Sequence, residues 1–281
     1  MPELILDFQS MAIVSDRAED KILPPLYTAI ENADDNVDGK FKKRAGIDEH
    51  ASDNPGATKI NAIAPYTVQQ PGNNFFVTIA DDEVWKVLNG PGGGSWTQMT
   101  TSASTITGGN VTPYRIAWGI DASNNPTLYF ADRTAGVIQV EIASTNAWTK
   151  LTDASGGSTG FDEAEAVEYF LDRLWVGNIQ DSGGTIVADE LIFSVTGDDT
   201  DFSGAGAGFI QLRFGSSGGS AGLGITGLRE YNNRLWIGTQ TSLHRLTGTT
   251  EDTFGSRFVR AQNWINGATM YTCGDFLISR S

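Results

Sequence analysis

The sequence predicts an all-β fold, a β-propeller-like series of blades preceded by an N-terminal arm. Glycine is abundant, with 33 residues among 281, which is typical of many short strands joined by turns. Runs of strong helix formers are scarce. Alternating apolar runs recur instead, each followed by a break rich in Gly, Ser, Asn and Asp. A chain of this length can bury a core without disulfide bonds.

The alternating runs predict the individual strands after about residue 59. Most of them have a period of two or are short and apolar, and turn residues bound them on both sides. The predicted strands are Asn74 to Ala80, Glu83 to Leu88, Tyr114 to Gly119, Thr127 to Ala131, Val137 to Ile142, Glu165 to Phe170, Arg173 to Gly177, Asp189 to Val195, Phe209 to Phe214, Gly224 to Tyr231, Arg234 to Thr239 and Ser242 to Thr247.

The predicted strands repeat one phrase, in which a strand, a tight turn and a second strand carry an aromatic residue at an equivalent place. Asp172 to Gly177 (DRLWVG) is echoed by Asn233 to Gly238 (NRLWIG). A hairpin of this kind cannot bury both faces alone, so each aromatic anchor is expected to fill the gap between neighbouring blades. The anchors are Phe76, Tyr129, Trp175, Trp236 and Phe276, spaced 53, 46, 61 and 40 residues apart, close to the repeat lengths of propeller blades.

Two regions are predicted, an arm over residues 1–58 and a propeller-like domain over 59–281. The arm holds a short helix candidate, Pro25 to Asn32, because proline suits a helix start. It also holds a hairpin at Val37 to Lys40, because Asp-Gly is a strong turn dipeptide. The domain is expected to hold about four blades and a fifth cut short at Ser281. Three explanations stay open: a small propeller, closure by N-terminal strands, and a chain that is a fragment or is completed by a partner.

Charge and composition exclude several classes of protein. The formal net charge of −15 argues against nucleic-acid recognition and against binding to anionic lipid, since both need clustered Lys and Arg. The single cysteine, Cys273, cannot form a disulfide framework or a cysteine-ligated metal cluster. Pro2, Glu3 and Asp7 interrupt the apolar start, so no signal peptide is predicted. No apolar run is long enough to predict a membrane-spanning helix.

The candidate chemical motifs each lack an essential part. Asp34 to Gly39 matches the opening of an EF-hand loop, but Ala45 stands where a bidentate Glu is required, so a solvated turn is predicted. His50 and His244 have no readable catalytic partners. The glycine loop Gly90 to Gly94 lacks the Gly-Lys-Ser/Thr of a phosphate-binding loop.

Acidic clusters and tryptophans are the remaining candidates. The clusters lie in turns and are predicted to be solvated; they are Asp81-Asp82, Asp162-Glu163-Glu165 and Asp198-Asp199-Asp201. Trp96 and Trp148 end similar phrases, which favours packing, although exposed loop tryptophans could stack on sugars. The sequence therefore predicts no catalytic residue, no metal and no cofactor, and a chain that is not an enzyme.

Two sets of short sequence motifs resemble those of a known class of proteins. One runs from Thr28 to Asp34 and from Gly39 to Ile47; the other comprises Asp172 to Gly177, Asp189 to Ser194 and Gly197 to Phe202, followed by Asn233 to Gly238. These are similar to the openings and the x-Arg-Leu-Trp-x-Gly … Gly-Asp … Asp-Phe phrases of tailed-bacteriophage tail proteins of the nozzle or tail-hub type. The resemblance implies a structural virion protein built around a propeller.

The leading hypothesis from this resemblance is a structural component of a phage tail, assembled in the host cytoplasm. Its expected partners are copies of itself in a ring, neighbouring tail or connector proteins, and DNA that passes through the lumen without specific binding. Its acidic surface would keep DNA from adhering. The alternatives are a carbohydrate-binding propeller that recognises a receptor and, less favoured, a propeller glycoside hydrolase.

Overall fold

β-Strands, nearly all paired antiparallel, make up the regular structure of the residues described by the computed structural model. These are residues 33–35, 41–43, 59–66, 74–88, 94–101, 106, 114–142, 146–152, 161–181, 183–212, 224–239, 242–260, 269–273 and 276–280. Within them, no helix is long and apolar enough to cross a membrane. The chain divides into two units, Met1–His50 and Ala51–Ser281.

The first unit contains one described pair of strands. β1 (Ala33–Asp35) pairs antiparallel with β2 (Phe41–Lys43). The predicted turn at Val37 to Lys40 falls between them and lies outside the described residues. The helix predicted over Pro25 to Asn32 and most of the EF-hand-like motif also lie outside the described residues.

The second unit contains four successive four-stranded meanders, which we call blades 1 to 4. Blade 1 comprises β3 (Ile60–Tyr66), β4 (Phe75–Ala80), β5 (Glu83–Leu88) and β6 (Thr97–Gln98). After the short β7 (Thr100–Thr101), blade 2 comprises β8 (Arg115–Ile120), β9 (Pro126–Asp132), β10 (Gly136–Glu141) and β11 (Ala147–Leu151).

The later blades have the same order. Blade 3 comprises β12 (Glu163–Phe170), β13 (Arg173–Gln180), β14 (Ile186–Phe193) and β15 (Gly208–Gln211). Blade 4 comprises β16 (Ile225–Glu230), β17 (Leu235–Thr239), β18 (Leu243–Thr247) and β19 (Gly255–Arg260). β20 (Thr269–Cys273) and β21 (Phe276–Arg280) form a following hairpin.

The strand order of each blade confirms the predicted fold class. All four blades are antiparallel meanders in chain order, and a single pair, Ala164↔Asp132, links the sheets of blades 2 and 3. The first strands of successive units, β8, β12, β16 and β20, contact one another in turn. Contact between the first strands of stacked antiparallel blades is the arrangement of a propeller.

Three apolar clusters lie between neighbouring blades, because alternate residues of a strand point to opposite faces. In β9, Leu128 and Phe130 join the cluster shared with blade 1, whereas Tyr129 and Ala131 join the cluster shared with blade 3. A third cluster, centred on Trp175, joins blades 3 and 4. Each of these cores therefore depends on two blades.

The aromatic anchors occupy equivalent strands, but they are not equally buried. Each lies in the second strand of its blade or, for Phe276, of the final hairpin. Tyr129 and Trp175 are fully buried, whereas Phe76 and Trp236 are half-buried. The side chain of Phe276 lies outside the described residues.

The repeated DRLWVG and NRLWIG phrases share one turn geometry. Leu171 and Asp172 both have positive φ, as do Asn232 and Asn233, which is the signature of a two-residue type I′ hairpin turn. The tryptophan that follows each turn donates its indole N–H to the carbonyl oxygen five residues earlier, at 2.8 Å for Trp175 and 3.2 Å for Trp236. The type I′ turn and the hydrogen-bonded tryptophan anchor therefore recur together in blades 3 and 4.

Candidate functional site

A cleft of about 240 Å³ lies between blades 2 and 3. Its walls come from the turn between β8 and β9, from β10 and β11, and from the loop between β14 and β15. The lining residues are Asp121, Ala122, Ser123, Gln139, Glu141, Ala147, Thr149, Asp199 and Thr200. Three of these nine side chains are carboxylates, and none is Lys or Arg.

Strand alternation turns polar side chains of blade 2 toward this cleft. Gln139 and Glu141 lie two residues apart on β10 and therefore share a face. Gln139 is directly opposite Thr149 of β11, so the two side chains lie side by side. The intervening Trp148 points the other way, into the core shared with blade 1. Blade 2 thus presents an apolar face to blade 1 and a polar strip to the cleft.

The two tryptophans considered as loop contacts do not line the cleft. Trp148 lies within β11, not in a loop, and only 4% of it is exposed. It packs against blade 1 because its neighbours Ala147 and Thr149 take the opposite face. Trp96 is half-buried, and it is absent from the lining residues of the cleft.

The loop between β14 and β15 is held in place by its own side chains. Asp201 Oδ1 accepts hydrogen bonds from the backbone N–H groups of Ser203 at 2.9 Å and Gly204 at 2.7 Å. Phe202 is buried against Phe161 with their rings edge to face, 5.0 Å between centroids. This local bonding and the aromatic anchor fix the position of Asp199, which precedes them.

Asp199 is the best-defined polar group of the cleft. Only 1% of the residue is exposed. Its Oδ2 accepts hydrogen bonds from the Tyr129 hydroxyl and, at 2.6 Å, from Gln139 Nε2. Its Oδ1 is buried and has no hydrogen-bond partner in the structure. Burial raises the pKa of Asp199, and the nearby Asp121 carboxylate acts in the same direction. Hydrogen bonds from Tyr129, from the backbone of Asp199 itself and from Gln139 lower the pKa.

Hydrogen bonds within its own turn hold the Asp121 side chain in place. Its Oδ1 accepts hydrogen bonds from the backbone N–H groups of Ser123 at 2.9 Å and Asn125 at 2.7 Å. Its Oδ2 accepts the Asn125 side-chain amide at 3.0 Å. Glu141, the third carboxylate, is 7% exposed. Hydrogen bonds therefore hold two of the three carboxylates that line the cleft, Asp121 and Asp199.

The acidic clusters predicted to be solvated have different surroundings in the structure. Asp199 is buried, so the prediction is wrong for this residue, because the loop folds over and packs it against blade 2. Asp162 lies 3.7 Å from Lys150 Nζ, and Glu165 lies 3.4 Å from Arg133 Nε. No local pattern distinguishes Asp199 from its solvated neighbours, so sequence reasoning alone had no means of selecting it.

The histidines and the cysteine lie away from the cleft or outside the described residues. His244 Nε2 is 2.8 Å from Ser242 Oγ, which is 2.8 Å from Thr239 Oγ1, and all three residues are buried within blade 4. Burial lowers the pKa of His244. His50 lies outside the described residues, and Cys273 ends β20. Across the part of the chain that the structure describes, no group of three His, Cys, Asp or Glu side chains could hold a metal ion.

Comparison with known proteins gives one structural likeness to report. No family model matches the sequence, and no curated protein matches it. Among solved structures, the chain is similar to an exo-1,5-alpha-L-arabinanase from a bovine ruminal metagenomic library, with 10% identity and a TM-score of 0.31, over 86% of this chain and 85% of the other. A TM-score this low carries no conclusion about this chain.

The prediction that this chain is not an enzyme needs correction. The finding that contradicts it is the structural match above, which is to an arabinanase, an enzyme. Of the acidic residues predicted to be solvated, Asp199 lines the cleft, together with Asp121 and Glu141, which belong to none of the predicted clusters.

Proposed function

We propose that this chain is a carbohydrate-binding protein and that the cleft between blades 2 and 3 is its sugar site. The observation that carries the proposal is the cleft itself, a concave site into which polar side chains of three elements converge, among them Gln139, Thr149 and Thr200.

The remaining cleft residues match the surface of a sugar. Sugar hydroxyls both donate and accept hydrogen bonds, and the cleft offers amide and hydroxyl groups beside its carboxylates, from Gln139, Thr149 and Thr200. Ala122 and Ala147 add small apolar surfaces for ring C–H groups. A few fixed polar groups that converge in a concave site are the usual construction of a small-ligand pocket.

A glycan array followed by calorimetry tests this proposal. We expect the wild-type protein to bind at least one class of oligosaccharide. Asp199→Asn and Thr149→Val should each weaken that binding by about tenfold or more, the effect of losing one charge-assisted or buried hydrogen bond. Asp252→Asn, an exposed carboxylate on the β18–β19 loop, is the matched control and should bind like wild type.

Two results would count against the sugar site. An array without hits removes it, and binding that Asp199→Asn and Thr149→Val both leave unchanged moves the site elsewhere on the protein. Assaying the same incubations for new reducing ends separates a binding site from a hydrolase, since only cleavage of glycosidic bonds generates them.

A second proposal, compatible with the first, is that the chain is a structural component of a bacteriophage tail. Its support is the resemblance of Asp172 to Gly177 and Gly197 to Phe202 to phrases of nozzle and tail-hub proteins, together with the net charge of −15. A sugar site on a tail protein would serve receptor recognition. Fractionation of purified virions tests the proposal: we expect the protein in intact particles, and its absence from them removes the proposal.

A further inference from the structure

The loop that joins the third and fourth strands of blade 3 closes over blade 2 with one carboxylate and one phenylalanine. Asp199 accepts a hydrogen bond from the hydroxyl of Tyr129, the aromatic anchor of blade 2. Phe202, three residues further along the loop, lies in the core that the two blades share. One short loop therefore supplies both a charged acceptor and an aromatic ring to the preceding blade.

The corresponding loop of blade 4 covers blade 3 in the same way. Glu251 Oε2 lies 3.0 Å from Arg173 Nη2, and the Arg173 side chain is only 5% exposed. Phe254, again three residues after the acid, packs edge to face on Trp175, with 5.1 Å between the ring centroids. Two successive interfaces are therefore closed by an acid and a phenylalanine at the same spacing.

Blade 4 repeats the arginine and the tryptophan of this arrangement, but they are more exposed than in blade 3. Arg234 and Trp236 stand in NRLWIG where Arg173 and Trp175 stand in DRLWVG, after the same turn. Arg234 is exposed and Trp236 is half-buried, whereas Trp175 is fully buried. Within the described part of the chain, Arg234 forms no ion pair with an acid.

Strand register extends this surface across blade 4. Leu235 and Ile237 belong to the core shared with blade 3, so by alternation Trp236 faces away from blade 3. Trp236 of β17 is directly opposite Arg245 of β18, and Arg245 is directly opposite Arg257 of β19. Side chains that are directly opposite lie on one face of a sheet. We call this set, with Arg234, the Arg–Trp row.

The Arg–Trp row concentrates positive charge in a chain whose net charge is −15. Like charges directly opposite one another on a sheet are destabilising, as Arg245 and Arg257 are. Among the residues that the structure describes, neither of them is paired with a carboxylate. A carboxylate bound between them would offset their repulsion, which is the charge complementarity that Glu251 provides for Arg173 in blade 3.

We propose that the Arg–Trp row of blade 4 is a docking surface for another protein, which binds it through a loop that carries a carboxylate and, three residues later, a phenylalanine. The carboxylate binds the guanidinium groups of the row, and the phenyl ring packs on Trp236. The covered faces of blades 2 and 3 favour a protein loop over a polyanion such as a nucleic acid, because a phenylalanine accompanies the carboxylate in both. The proposal is independent of the sugar site.

An NMR titration with a cyclic peptide tests the proposal. The peptide has the sequence of residues 246–256 of this chain, and it is closed head to tail because Leu246 and Ser256 are paired across the two strands. We expect the indole N–H resonance of Trp236, identified by its loss in Trp236→Phe, to shift and saturate. The resonance of Trp175, which is already covered, should not move. Raising the salt concentration should weaken the binding through screening.

Variants of the protein link the binding to the row. Arg245→Gln and Arg257→Gln should each weaken peptide binding by about tenfold, the effect of losing one hydrogen bond between charged groups. Lys59→Gln, which removes an exposed cation just before β3, is the matched control and should bind like wild type. Thermal unfolding checks that each variant is folded.

Variants of the peptide test the chemistry of the loop. Replacing its glutamate (Glu251→Gln) or its phenylalanine (Phe254→Ala) should each weaken binding by about tenfold. These substitutions are made in the peptide alone, so they leave the fold of the protein unaffected. Equal binding of the original and both altered peptides would overturn the requirement for an acid and a phenylalanine.

Three further results would overturn the proposal. A Trp236 resonance that stays in place at millimolar peptide removes the docking surface. A single-stranded DNA oligonucleotide that binds more tightly than the peptide, and loses its affinity in Arg245→Gln, makes the row a polyanion site instead. Self-association in sedimentation that Arg245→Gln and Arg257→Gln abolish assigns the row to a second copy of this chain.

Discussion

The Tyr129–Asp199 contact illustrates how one side chain links the core to the cleft. Tyr129 is a fully buried anchor of blade 2, yet its hydroxyl donates to Asp199 Oδ2 on the loop of blade 3. Burial raises the pKa of Tyr129, and the Asp199 carboxylate adds to the effect, so the phenol stays protonated as a donor. The sequence indicated Tyr129 as a packing residue, but it could not show the partner of its hydroxyl.

Tyr129→Phe tests that contact. The substitution keeps the ring and removes the donor from a buried carboxylate, so we expect the free energy of unfolding to fall by about 1–3 kcal/mol. Urea denaturation measures the change. Tyr231→Phe, at a half-buried position, is the control, and equal losses in the two variants would contradict the special role of the Asp199 contact.

Glu168 makes the stability of the protein depend on pH. Burial raises the pKa of Glu168 to about 7 from its ordinary value of 4.5, although Arg229, 3.5 Å away, acts in the opposite direction. Between these values the unfolded chain has lost the proton that the folded protein still holds. The free energy of unfolding should therefore fall as the pH rises from about 4.5 to about 7. Glu168→Gln should flatten this part of the profile in urea denaturation, and an unchanged slope would contradict the assignment.

At the scale of elements, the sequence predicted the inner strands of the blades better than the outer ones. Glu83–Leu88 matches its prediction, and Arg173–Gln180 extends beyond it. Ala147–Leu151 and Gly255–Arg260 were not predicted, because polar residues interrupt the apolar alternation of both segments. Ile60–Tyr66 was also missed, since Pro65 reads as a strand breaker.

Close contact between first strands depends on a glycine in β8. A Cβ built on Gly119 would lie 2.5 Å from Tyr169 Cγ and 3.0 Å from its Cβ, in β12. These atoms are the base of the ring, which cannot move aside easily, so Gly119→Ala should destabilise the protein by about 1–3 kcal/mol. Gly255→Ala is the matched control, since its Cβ would meet Thr247 Oγ1 at 3.4 Å. Equal thermal stability of the two variants would contradict the close packing.

At the scale of the whole molecule, blades 1 to 4 share their cores. Each apolar cluster takes residues from two neighbouring blades, so separating any pair exposes both faces. We expect these blades to unfold in one cooperative transition, with calorimetric and van't Hoff enthalpies in agreement. Two resolved unfolding transitions, the first of which separates blades 2 and 3 and destroys the cleft, would contradict this coupling.

The cleft could not be predicted from the sequence, because its residues come from separate elements. Asp121, Glu141 and Asp199 belong to a turn, a strand and a loop of two blades, and only the packing of those blades brings them together. The periodicity that located the strands shows which face a residue takes, but it does not show which loop of the next blade covers that face. The fold class was accessible from repeats, whereas the site arises from their stacking.

A crystal structure of the protein soaked with the tightest-binding sugar of the glycan array tests the central claim most directly. We expect sugar density in the cleft between blades 2 and 3, with sugar hydroxyls about 2.7–3.2 Å from polar atoms of Gln139 or Thr149. Density for the sugar on another surface, or an empty cleft at concentrations far above the measured Kd, would contradict the account.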